Sequence, residues 1–418
     1  MRIEDLKKES TGPRARISAK VIWEDCGRPP FDLYIETEPE FESALSLNPH
    51  AFLVACIMPA LHYGEKRVLL DADICPELKI GLETAMGWIR HWFYTPAKEL
   101  VKIDAKTRSS MPLPRTPGRA GFFFSGGIDS FATLKANRLN YPFKHPLSIR
   151  DGILVYGLEM DEPEAFVHVR ESLSGMASEM GIELMPVYTN LYLNYRDEDA
   201  RNGFNFWTNK FMGSALAAVA HAFSGRLTAV SIASSFDIPN LGPHGLNPIL
   251  NQNYSSADLR IINDGLNLTR LQKVMLLSRD NAVLRNLRVC NHFKRYRAGN
   301  LNCGRCEKCL RTMLALVSAG ALRHTDVFPC KDVTREMVRE FVFIKDSFAF
   351  WYTELSGALK KAGRPDLAAA VDEKIEEYQH GKSIKKIKRM IKHFDDKFLS
   401  GHVVKINRII IDRAKVLK

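Results

Sequence analysis

The feature that most constrains this chain is an alternation of short apolar runs with helical stretches between residues 119 and 325. Residues 121–124, 153–157, 183–188, 227–233 and 260–263 are short and almost continuously apolar. Stretches with helical patterning follow them from about 130, over 162–180 and 207–223, and from 269. Strands with no polar face must be covered on both sides, and strand–helix alternation supplies that cover in a parallel sheet. The expected fold is α/β, a doubly wound parallel sheet. Ligands of such sheets bind beyond the carboxyl ends of the strands, near the point where strand order reverses. Polar clusters just after these runs are therefore the candidate functional residues.

The rest of the chain divides around this zone. Residues 1–115 carry strand-like alternation at 16–23, 31–36 and 66–71 and helical patterning at 48–62 and 76–94, which reads as an N-terminal α+β domain. A stretch rich in Pro, Arg and Ser at 107–118 separates it from the 119–325 domain. Residues 331–418 read as a helical, basic C-terminal extension. The formal net charge is +11 over 418 residues, yet residues 374–418 alone hold thirteen Lys/Arg against five Asp/Glu. The body is close to neutral, which excludes a generic nucleic-acid binder. The tail repeats Ile384, Ile387, Met390 or Ile391, Phe394 and Phe398 at helical spacing, with Lys385, Lys386, Lys388, Arg389 and Lys392 between them. A basic amphipathic helix of this kind suits a protein partner, RNA or an acidic membrane surface, or packs on its own domain with a solvated face. No apolar stretch is long enough to span a membrane, and the first ten residues are charged where a signal peptide is apolar. A cytoplasmic protein is expected, and a homo-oligomer.

Ser125-Gly126-Gly127-Ile128-Asp129-Ser130 follows the first apolar run and opens a helix. Adjacent glycines let backbone amides approach a phosphate without Cβ clashes, and a helix N-terminus favours negative charge. Ser125 and Ser130 can donate hydroxyls to phosphate oxygens. Asp129 cannot itself favour phosphate, and Mg²⁺ between carboxylate and phosphates resolves that conflict. The Gly-Lys-Ser/Thr ending of a Walker loop is missing.

Four of the eight cysteines crowd together as Cys290 and Cys303-Gly304-Arg305-Cys306-Glu307-Lys308-Cys309. Two overlapping Cys-x-x-Cys steps let thiolates converge on one ion, and four thiolates close a tetrahedral Zn²⁺ site of structural type. An iron–sulfur cluster uses the same ligand set, and redox chemistry at a Cys-x-x-Cys pair is a third reading. Arg305, Lys308 and Arg311 supply positive charge beside the thiolates.

The run Phe122-Phe123-Phe124-Ser125-Gly126-Gly127-Ile128-Asp129-Ser130 resembles the PP-loop of the N-type ATP pyrophosphatases, whose fold is of the adenine nucleotide alpha hydrolase type. The loop followed by Cys…Cys-x-x-Cys-x-x-Cys is similar to 7-cyano-7-deazaguanine synthase-like proteins, over about 119–325. The resemblance implies an ATP-dependent ligase: ATP adenylates a carboxylate or carbonyl of a second, unidentified substrate, pyrophosphate leaves, and a nucleophile displaces AMP. It implies ATP contacts at Ser125, Gly126, Gly127, Asp129, Ser130, Ser234 and Ser235, and catalytic roles for Asp129, Arg270 and Lys273. Leu268-Thr269-Arg270 sits where these enzymes often carry Leu-Thr-Lys, and Lys273 lies one turn on. It further implies a structural zinc at Cys290, Cys303, Cys306 and Cys309. Residues 1–115 and the basic tail have no counterpart in that family, and residues 242–253 do not match its substrate loop, so the deazapurine substrate is not carried over. Two other readings stay open, a tRNA-thiolating enzyme and a nucleotide-binding subunit of a larger assembly such as a defence system.

The polar, Gly- and Asn-rich stretch 234–265 is unlike a plain connector. His244, Asn247, Asn251, Asn253, Asp258 and Asp264 are its candidates for the second substrate or a metal, and the resemblance implies that Asp237 lies with Ser234 and Ser235 around the substrate and the adenylate. Trp207, Asn209 and Lys210 open a helix at the same end of the sheet.

Overall fold

Ten strands form one sheet in the computed structural model, which describes every residue except 11, 112–117, 203–204, 291–300, 343, 347–348 and 399–418, and gives no side chains for 201–202 and 384–398. In chain order they are β1 (Arg2–Glu9), β2 (Ala15–Ile22), β3 (Phe31–Thr37), β4 (Arg67–Ile74), β5 (Lys102–Thr107), β6 (Ala120–Phe123), β7 (Ile149–Tyr156), β8 (Glu183–Thr189), β9 (Ala229–Ala233) and β10 (Arg260–Asp264). Their spatial order is β10-β9-β6-β7-β8-β3-β2-β1-β4-β5. Six of the nine neighbouring pairs are parallel, and the antiparallel pairs are those joining β8, β3, β2 and β1. The protein is α/β, with a mostly parallel sheet and flanking helices.

The five strands after residue 119 all run parallel. The chain steps outward from β6 to β7 and β8, then returns to place β9 on the other side of β6 and β10 beyond it. That reversal is compatible with a doubly wound sheet and puts the switch point between the ends of β6 and β9. The helices are α1 (Pro49–Tyr63), α2 (Pro76–Phe93), α3 (Ile128–Asn140), α4 (Pro163–Glu179), α5 (Arg196–Asn202), α6 (Met212–Ala222), α7 (Pro248–Asn251), α8 (Arg270–Leu277), α9 (Asn281–Asn286), α10 (Glu307–Ser318), α11 (Arg335–Phe341), α12 (Ala349–Lys361) and α13 (Pro365–Phe398).

The strands on either side of the 107–118 stretch belong to the same sheet. The join is β3 against β8, with Glu36 opposite Tyr188. Pro186 in β8 has no N–H to give a neighbour, and side chains take over there: Thr37 Oγ1 donates to the Pro186 carbonyl at 2.8 Å, and Thr189 Oγ1 to that of Tyr34 at 2.6 Å. At the amino ends of the central strands, Asp151 is fully buried and bridges Arg119 and Arg226. Burial makes such a carboxylate acceptable only because both partners are present.

Two compact units make up the chain, Met1–Gly304 with Ala321–Lys331, and Arg305–Gly320 with Asp332–Lys418. In the second unit α10 to α13 bury Leu310, Met313, Leu314, Tyr352, Leu355, Leu359, Leu367 and Val371. Tyr352 Oη donates to Glu307 at 2.6 Å, and Arg335 and Arg339 both reach Glu373. The basic stretch over residues 384–398 is helical in its backbone; its continuation to 418 lies outside the described residues. Among the described residues no helix is long and apolar enough to cross a membrane.

Two buried histidines set an acid limit on the first unit. His50 Nε2 accepts from the Cys75 amide at 2.9 Å, and His221 Nε2 donates to the Tyr254 carbonyl at 2.8 Å. Burial pulls His50 down to about 3 and His221 to about 4. Both folded values lie below the unfolded one of about 6.5, so between those limits the unfolded chain binds more protons. The associated stability is present above about pH 6.5 and is lost as pH falls toward 4. His221→Gln keeps a donor for Tyr254 and removes the titration. Unfolding free energies from urea titrations between pH 7 and 4 should fall less steeply in that variant, by about 3 kcal/mol over the range. Parallel curves for the two proteins would refute the assignment.

Candidate functional site

The loop 124–127 leaves β6 and enters α3, and residues 234–237 leave β9, so the two segments meet at the switch point. Gly126 holds φ +74°, a conformation that disfavours side chains, and Gly127 is the N-cap of α3 without a side-chain cap. The first amides of α3 thus face the loop with the helix dipole behind them. Ser130 Oγ donates to the Gly127 carbonyl at 2.9 Å and braces the turn, while Ser125 is exposed above it.

Asp129, in the first turn of α3, gathers the charged groups. Arg270 Nη1 donates to it at 2.7 Å, Ser235 Oγ at 3.1 Å, and Lys273 Nζ lies 3.5 Å away. Thr269 caps α8 in a reciprocal capping box with Gln272, which fixes the turn that carries both cations. Lys273 is 1% exposed and also donates to the Ser234 carbonyl at 2.5 Å. Gly265, at φ +77°, leaves room for it, because a Cβ there would lie 3.2 Å from Lys273 Cε. Burial lowers the Lys273 amine below its usual range, and Asp129 works against that shift. Ser234 is used locally: its hydroxyl donates to the Phe236 carbonyl and accepts from the Phe236 amide.

A third segment, which sequence reasoning missed, closes the site. The Arg288 amide donates to the Gly126 carbonyl at 2.7 Å and its Nη1 to the Ser125 carbonyl at 3.1 Å. Burial pulls the Arg288 guanidinium down to about 10 and lowers the His244 imidazole, and the charge of Glu159, in the loop after β7, opposes both shifts; Glu159 also accepts from Trp207 Nε1 at 3.1 Å. Nothing local in the sequence marks Arg288 or Glu159, because each acts on residues far away along the chain.

The other candidates separate. His244 packs edge-on against Phe236, which belongs to the segment after β9, and burial lowers its pKa. Asp237 accepts from Asn240 and supports the charge of Lys273. Asp264 ends β10, with burial raising its pKa, and its carbonyl accepts from the Ser234 amide. Asn247 caps α7, and Asn251 is fully buried. Asn253 and Asp258 are engaged elsewhere, Asn253 against Gly81 and Asp258 with Arg108 at 2.8 Å. Residues 207–211 form a π turn into which the Gly245 peptide inserts: its N–H donates to Thr208 and its carbonyl accepts from Gly213. Lys210 on that turn lies 4.5 Å over the Tyr94 ring, and Asn209 bonds Asn205 at 3.4 Å.

Cys290, Cys303, Cys306 and Cys309 come together with their sulfur atoms all within 4.8 Å of one another, three of them buried. Tetrahedral thiolates at about 2.3 Å from Zn²⁺ stand about 3.8 Å apart, so the cluster can hold a metal such as zinc. Gly304 makes the turn at φ +67°, where a Cβ would strike Pro329 Cγ at 2.5 Å. Cys306 is the N-cap of α10, and its sulfur accepts from the Cys309 amide. Arg311 is engaged with Glu307 and the Trp351 ring. The chain matches no protein-family model, no curated protein and no solved structure with which it was compared.

Proposed function

We propose that this protein is an ATP-dependent, AMP-forming ligase that works at the β6–β9 switch point. The observation that carries the reading is the half-buried Asp129, paired with the buried cations Arg270 and Lys273, in the first turn of a helix that opens from a glycine turn. Two cations and a ring of amides suit a polyphosphate, and they lie where such a sheet binds its ligands. A substrate carboxylate or carbonyl oxygen attacks the α-phosphorus of ATP, the α–β bridging bond breaks, and pyrophosphate leaves with the electron pair. A nucleophile then attacks the activated carbon and AMP departs. Arg270 and Lys273 stabilise charge on the phosphates, Ser125 and the loop amides orient them, and Asp129 would hold Mg²⁺. That ion would supply further charge neutralisation on the phosphates. The close approach of the four thiolates supports one zinc ion rather than an iron–sulfur cluster, which spreads its ligands over several irons. Thiolates tied to one ion are poor sulfur carriers, so the thiolation reading has less support.

The test is equilibrium binding of ATP with Mg²⁺ to the full chain, with mass spectrometry of the purified protein for AMP or an acyl adenylate. Binding in the micromolar range is expected, with competition by pyrophosphate. No binding of ATP, AMP or pyrophosphate at millimolar concentration would overturn the reading.

A further inference from the structure

The metal-binding cysteines and the glycine loop share one short segment of chain, Leu287 to Cys290. Its carboxyl end supplies Cys290 to the cluster. Two residues earlier, Arg288 holds the Gly126 carbonyl through its amide and the Ser125 carbonyl through its guanidinium. The segment has no regular ladder of its own, and one side chain makes three of the hydrogen bonds that fix it. Asn302 Oδ1 accepts from the amides of Val289 (2.7 Å) and Cys290 (3.2 Å), and its Nδ2 donates to the carbonyls of Leu287 (2.8 Å) and Val327 (3.0 Å). All four hydrogen bonds available to a buried amide are made, at 1% exposure. Asn302 is itself the neighbour of Cys303, so cysteines of the cluster flank both ends of this hydrogen-bonded arrangement.

We propose that occupation of the four-cysteine centre sets the conformation of the 125–127 loop, with Asn302 and Arg288 as the positioning residues that join them. Metal bound at Cys290 and Cys303 fixes the distance between segments 287–290 and 302–303. Asn302 converts that distance into a single register of Leu287–Cys290, and Arg288 presents the register to Ser125 and Gly126. Gly126 needs such external support because a glycine at positive φ has several conformations open to it. This coupling acts on the shape of the loop, whether or not ATP is the loop's ligand.

Amide hydrogen exchange on the full chain tests it, comparing protein loaded with one equivalent of Zn²⁺ and protein stripped by a chelator. Stripping should raise exchange at 125–128 by about tenfold or more, while α1 (49–63) stays unchanged. Asn302→Ala should produce the same rise with zinc still bound. Should that variant fail to fold, Asn302→Asp keeps the acceptor for Val289 and Cys290, loses the donor to Leu287 and Val327, and should give a smaller rise in the same peptide. Unchanged exchange at 125–128 after zinc removal would overturn the proposal, and so would an equal rise in α1, which would mean general unfolding. Failure to bind ATP in either state would count against the ligase reading alone.

Discussion

Replacing Asp129 by alanine is expected to abolish the part of ATP affinity that depends on Mg²⁺. In the folded protein this carboxylate is the shared partner of Arg270, Lys273 and Ser235, and it is 18% exposed. Two roles fit such a group, and they predict opposite behaviour. A carboxylate that only holds two cations in place repels phosphate, so its loss leaves the benefit of added Mg²⁺ intact and strengthens binding of free ATP. A carboxylate that holds Mg²⁺ is the reason Mg²⁺ helps at all. Titrations of ATP with Mg²⁺ and with a chelator separate the two. For the wild type we expect Mg²⁺ to strengthen binding by about a hundredfold, and for Asp129→Ala by less than about threefold. A variant that keeps the full hundredfold gain would remove Asp129 from the metal-holding role.

The same substitution carries a second signature. Lys273 is held below the usual lysine range by burial, and Asp129 is the first charge opposing that shift, with Asp237 behind it. Without Asp129 the amine deprotonates at lower pH. The alkaline limit of any residual ATP binding should then move downward, a shift that a simple loss of packing would not cause. Leaving buried cations without their partner should also cost about 3–5 kcal/mol of stability, and bound pyrophosphate should restore part of it by mass action.

How much of this was legible in the sequence depended on whether the cause was local. The buried strands β6 to β9 announce themselves because a strand covered on both faces is apolar over most of its length, whereas the edge strand β10 buries only Ile261 and shows itself through the Ile261-Ile262 pair. The loop at 125–130 is visible for the same reason, since its glycines, serines and aspartate are adjacent. β1 and β5 are hidden: Ile3 is the one fully buried residue of β1, Leu6 is half-buried against the core, and the other six residues are Arg, Glu, Asp and Lys. β5 is a charged edge strand. Nor did the sequence disclose that the two halves share one sheet, because the β3–β8 register joins residues about 150 apart. Within the site, Arg270 and Lys273 could be suspected from their place at a helix start. Arg288, Glu159 and Asn302 could not, because each contributes through backbone groups or charges brought near by folding alone.

Cys309→Ala is expected to have the largest effect on stability. Cys309 is fully buried in the first turn of α10, and its sulfur is one of four gathered within 4.8 Å. Three remaining thiolates leave an open position, and a structural zinc site supplies on the order of 10 kcal/mol to folding. Zinc content should fall from one per chain to near zero, and the melting temperature should drop by more than about 10 °C. Cys56 is the matching control: it is equally buried, in α1, but lies outside the cluster, and burial pushes its thiol up to about 12. Cys56→Ala should keep the zinc and lose about 1–2 kcal/mol from packing alone. Thiol titration provides the independent measure. In zinc-loaded protein the four clustered cysteines should resist a thiol reagent, and removal of zinc should expose four further reactive groups while Cys56 stays inert. If Cys309→Ala retains one zinc and melts with the wild type, or if stripping adds no reactive thiols, the cluster is a packing feature and holds no metal.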